Sequence, residues 1–76
     1  MEIKVLGPGC AKCKEAEKVV LEAVKESGVD AMVEKIADFQ QIASFGVFST
    51  PAVVIDGEVK VVGKVPSKDD VLSWLK

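Results

Sequence analysis

Apolar and polar positions change period several times along the chain, and each change marks an element. Ile3-Lys4-Val5-Leu6 is a short β-rich run that stops at Gly7-Pro8-Gly9, a turn signal. Beyond Cys10 the spacing turns helical. Ala16, Val19, Val20, Ala23 and Val24 recur at i, i+3 and i+4, while Glu15, Glu17, Lys18, Glu22, Lys25 and Glu26 fall mostly on the other side. Ser27-Gly28 predicts the helix end, glycine being the residue that accepts a left-handed C-terminal turn. A second strand is predicted from Ala31 to Ile36, where Met32, Glu34 and Ile36 alternate with Ala31, Val33 and Lys35.

Asp38 is the N-cap of a short helix predicted from Phe39 to about Phe45 and ended by Gly46. Ser49-Thr50-Pro51 must be non-helical, because a proline pushes the residue before it into extended backbone. Ala52–Ile55 and Glu58–Val62 are β-branched runs joined by Asp56-Gly57, a pair suited to a hairpin turn with positive φ at both positions. Ser67 opens a last helix, with Asp70 as a capping-box-like partner and Val71, Leu72, Trp74 and Leu75 on its buried side. Trp74, Met32 and Phe39 are assigned to the core. The order is β-α-β-α-β-β-α, without repeat or linker.

Length and composition narrow the function. The 76 residues fit a single domain, and 49% hydrophobic with 29% charged residues is globular. A core this small supplies only about 3–5 kcal/mol net, so its apolar positions are committed to packing. Ten lysines, no arginine and twelve carboxylates give a net charge of −2, which argues against nucleic acid as a partner. No apolar run approaches the roughly 20 residues of a membrane span, and no signal peptide opens the chain. A soluble, cytoplasmic monomer is expected. Histidine is absent, which removes Ser-His and Cys-His dyads and His-containing zinc sites.

Covalent chemistry must therefore start at Cys10 and Cys13. Cys10-Ala11-Lys12-Cys13 lies between a strand and a helix, where unpaired N–H groups and the helix dipole favour an anion such as a thiolate. Lys12 and Lys14 add positive charge, partly opposed by Glu15. Cys13, one turn further in, is close enough to bridge to Cys10 and is expected to be the more buried sulfur. That spacing separates an exposed attacking thiolate from a shielded resolving thiol. Packing alone gives no reason to place both cysteines behind Gly7-Pro8-Gly9. Structural zinc needs four ligands, more than this chain offers. Copper(I) carriage stays open, since two soft thiolates can suffice. Small copper chaperones, however, run β-α-β-β-α-β and usually carry methionine where this chain has Pro8. A binding adaptor whose disulfide only regulates docking is the other alternative.

Four motifs stand in a telling order: C-x-x-C after the first strand, Phe45-Gly46-Val47-Phe48-Ser49-Thr50-Pro51, the Asp56-Gly57 hairpin, and Gly63 before the last helix. Over essentially its whole length the chain thereby resembles the thioredoxin/glutaredoxin superfamily, in particular its very small thioredoxin-like members. The resemblance implies an α/β thioredoxin-like fold with a four-stranded mixed sheet and helices on both faces. It implies thiol–disulfide exchange with proteins or small thiols, with Cys10 attacking and Cys13 resolving. No organic cofactor is needed, the Cys10–Cys13 disulfide carrying the electrons, and an upstream reductase restores the dithiol.

The family pattern further implies a cis bond at Pro51, facing the cysteines and keeping metals off them, and backbone hydrogen bonds from Thr50 to an extended substrate. Gly9 stands where many thioredoxins have tryptophan, Ala11-Lys12 replaces Gly-Pro, and Lys4 replaces a buried aspartate. Of the glutathione-binding features of glutaredoxins, Thr50-Pro51 and the acids Asp69 and Asp70 are suggestive, but the C-x-x-C aromatic and a double glycine are missing. Phe48, beside Pro51, has two readings: a core residue, or an exposed aromatic contact for a partner protein.

Overall fold

The run that alternates least, Ala52–Ile55, becomes the strand buried on both faces, and the rest of the sheet is arranged around it. A computed structural model describes residues 1–9 and 11–75. Its elements are β1 (Glu2–Leu6), α1 (Ala11–Ser27), β2 (Met32–Ile36), α2 (Phe39–Ser44), β3 (Ala52–Ile55), β4 (Glu58–Val62) and α3 (Lys68–Trp74). The strands form one mixed sheet in the order β2-β1-β3-β4, with β1 parallel to β2 and antiparallel to β3. The expected order and mixed sheet are therefore both present.

Helices cover both faces. On one, Ile3, Val5, Val53 and Ile55 pack with Ala16, Val20 and Ala23 of α1 and Val71 of α3. On the other, Leu6, Ile36, Ala52 and Val54 pack with Ile42 of α2 and with Val47. Each fully buried Val, Leu or Ile contributes about 1.5–3 kcal/mol relative to exposure, so these two layers hold the sheet together.

Local signals end the elements where the chain predicts. Asp38 accepts from the Gln40 N–H at 2.9 Å and Ser67 from the Asp70 N–H at 3.1 Å, capping α2 and α3. The hairpin has φ of 50° at Asp56 and 84° at Gly57, the left-handed pair a type I′ turn requires. That turn is tied to the start of β1, because Glu2 N–H donates to Asp56 Oδ1 and Asp56 N–H to the Glu2 carbonyl, both at 2.8 Å.

Two core assignments are corrected. Met32 is 74% exposed and Phe39 68% exposed. The cause is the brevity of α2, whose 6 residues cover only the Leu6–Ile36–Ala52 end of the sheet. Met32 lies at the opposite end of edge strand β2, beyond that cover. Phe39 directly follows the cap, and Ile42 takes the sheet-facing position instead. Trp74 and Leu72 are half-buried and pack against the α1–α3 layer, with Val71 and Leu75 fully inside.

Candidate functional site at the end of strands β1 and β2

Sheet register decides which loops meet. Leu6, the last residue of β1, pairs with Ile36, the last of β2, and with Ala52, the first of β3. The segment after β1, the end of β2 and the Thr50-Pro51 approach to β3 therefore converge at one end of the sheet. There α1 begins at Ala11, the residue after Cys10 in sequence. Cys10 itself, the expected nucleophile, lies outside the described residues.

Cys13 is on the first turn of α1 and only 1% exposed, so the expected shielding of this sulfur is present. Gly7 accounts for its position. A Cβ built on Gly7 would overlap Cys13 Sγ, lie 2.9 Å from Cys13 Cβ and stand 3.8 Å from Thr50 Cβ. The Cβ position that Gly7 leaves empty is thus next to both Cys13 and the Thr50 side chain. The Thr50–Pro51 peptide bond is cis; Pro51 is buried and its carbonyl accepts from the Gly63 N–H at 2.9 Å.

The remaining site candidates are spread around this point. Gly9 is half-buried with φ of 99°, a backbone state that favours glycine. Lys12 is exposed on the first turn of α1, which carries no acidic residue. Phe48 is 87% exposed, so the partner-contact alternative matches its placement and the core alternative does not. Its neighbour Val47 takes the buried position.

Lys35 was not singled out by the sequence, yet its Nζ would lie 3.8 Å from a Cβ on Gly9. The parallel pairing of Val5 with Lys35 brings it there. Lys4, which replaces the family's aspartate, holds its ammonium 5.2 Å from the Phe45 ring centroid, on the α2 face. It is turned away from the helix that carries Cys13. Asp69 and Asp70 do not join the site. Lys68, next to them, pairs with Glu26 at 2.8 Å, and Asp69 lines a cleft with Glu26 and Ser27 at the C-terminal end of α1. At 1.5 Å per residue that is roughly 20 Å from Cys13 along the helix.

A family model described as the thioredoxin domain matches residues 1–76. The chain belongs to the thioredoxin domain family. It is 45% identical over 71 residues to a thioredoxin of Methanothermobacter thermautotrophicus, covering 93% of this chain and 92% of that protein. It is 39% identical over 74 residues to a thioredoxin of Methanocaldococcus jannaschii, covering 97% of this chain and 85% of that one. A probable thioredoxin of Archaeoglobus fulgidus is 34% identical over 72 residues, 91% of this chain and 78% of that protein. This thioredoxin-family chain is a thiol–disulfide oxidoreductase, whose substrates are disulfides and whose dithiol a reductase regenerates. Among the described residues no helix is long and apolar enough to cross a membrane.

Proposed function

We propose that Cys10 and Cys13 carry the exchange in two steps. The Cys10 thiolate attacks one sulfur of a substrate disulfide, forming a mixed disulfide and expelling the other sulfur as a thiolate. Cys13 then attacks the Cys10 sulfur, closes the intramolecular bridge and releases the second substrate thiolate. The protein loses two electrons and the substrate gains them. No organic cofactor or metal takes part, since the sulfurs hold the electrons. The reading rests above all on the convergence of Cys13 and Thr50 about Gly7, which puts the C-x-x-C helix and the Thr50-Pro51 segment at one place.

Other residues support those steps. Lys12, with the first-turn amides of α1, favours the thiolate over the thiol. Gly9 leaves the approach to Cys10 without a side chain. Thr50, ahead of Pro51, offers backbone hydrogen bonds to an extended segment of the substrate, and Phe48 gives that segment an apolar contact. The substrates are disulfides of cytoplasmic proteins or small thiols, handled by a monomer that an upstream dithiol reductase recharges.

Turnover of a protein disulfide such as insulin by purified variants tests this. Cys10→Ser abolishes reduction, and Cys13→Ser accumulates a covalent protein–substrate adduct visible as added mass. Reduction retained by Cys10→Ser refutes the assignment.

A further inference from the structure

Cys13 packs against a residue with no side chain, and backbone conformation does not explain that choice. Five other glycines adopt positive φ, at residues 9, 28, 46, 57 and 63, but Gly7 does not. Its φ lies outside the left-handed region, so any L-residue could follow the same path. What forbids a side chain at position 7 is space. Gly7 is buried, and its N–H donates to the Ile36 carbonyl at 2.8 Å, extending the β1–β2 pairing by one residue. The backbone is thereby pinned, and the volume a methyl group would need is occupied by the sulfur and Cβ of Cys13. Thr50 Cβ would lie 3.8 Å from the same methyl position.

We infer that Gly7 is a positioning residue for the resolving step: its missing side chain is the seat of Cys13 Sγ. The inference rests on the two-step reading above and assigns within it what holds the second sulfur in place. A methyl group at position 7 has to rotate the Cys13 side chain or push the first turn of α1 off the end of β1. Either movement changes the direction from which Cys13 approaches the Cys10 sulfur. In-line attack on a disulfide depends on that direction, whereas the preceding attack by Cys10 on a free disulfide does not.

The two steps separate with dithiobis(nitrobenzoate), an aromatic disulfide. Cys10 attack forms the Cys10–aryl mixed disulfide and releases a first aryl thiolate. Cys13 attack on the Cys10 sulfur forms the intramolecular bond, breaks the mixed disulfide and releases a second, and the two protons of the dithiol go to solvent. In Gly7→Ala the first release stays within about twofold of the parent while the second slows about ten- to hundredfold, the range expected for an ångström-scale misplacement. Equal slowing of both releases, or no change in either, overturns the inference.

The parent, Cys10→Ser and Cys13→Ser proteins establish the frame by releasing two, none and one equivalent. If they do not, the two-step reading fails before Gly7 is in question. Should Gly7→Ala fold poorly, urea unfolding decides through a double-mutant cycle with Cys13→Ala. Removing the sulfur must relieve part of the Gly7→Ala destabilisation, and an equal loss in both backgrounds refutes the seat.

Discussion

Phe48 and Val47 are sequence neighbours with opposite fates: the valine fills the α2 face and the phenylalanine is 87% exposed beside Thr50 and Pro51. An aromatic side chain left in water contributes little to folding, so Phe48→Ser changes stability by less than about 0.5 kcal/mol. The same change raises KM for a protein disulfide and leaves reaction with a small aromatic disulfide unaltered, which steady-state kinetics on the two substrates checks. Equal loss on both substrates would place Phe48 outside substrate contact. At this scale the sequence was legible where chemistry is local. The cysteine pair, the cap residues and Thr50-Pro51 announce themselves by residue type and spacing. Gly7 and Lys35 do not, because one matters through the space that Cys13 fills and the other through a strand register. Gly7 reads in sequence as part of a turn. Lys35 reads as one of ten surface lysines.

Among the elements, α2 shows how length overrides hydrophobicity. Its 6 residues make under two turns, so one side chain, Ile42, reaches the sheet and Phe39 is left outside. Ile42→Ala should cost about 2–5 kcal/mol, comparable with the whole stability of so small a domain. Phe39→Ala, although it removes the larger side chain, costs far less; urea unfolding of the pair ranks them, and the reverse order would return Phe39 to the core. Periodicity located every strand and helix, since the apolar period survives in short segments. It does not tell how much of the sheet α2 covers, so it points Met32 and Phe39 inward although both are exposed. Helix ends were read more securely, because Asp38 and Ser67 bond amides only two or three residues away.

Charge is unevenly placed over the whole molecule, despite a net value of only −2. Lys12 and Lys14 stand on the first turn of α1, which holds no acid, with Glu15 next beyond it, and Lys35 lies beside Gly9. Glu26 and Asp69 lie at the other end of that helix. There the hydrogen bond to Glu26, and then its charge, raises the Lys68 pKa above the usual lysine value. That pair contributes its stability below the ordinary lysine pKa and loses it as pH rises through the raised one. About half exposed, the pair is screened by salt. The helix dipole and three ammonium groups thus act on the segment between β1 and α1. Alkylation rate against pH, measured on Cys13→Ser so that Cys10 alone reacts, reads their effect directly. The account predicts a midpoint at least about one unit below the value near 8.5 of a free cysteine. A midpoint at or above that value would contradict it.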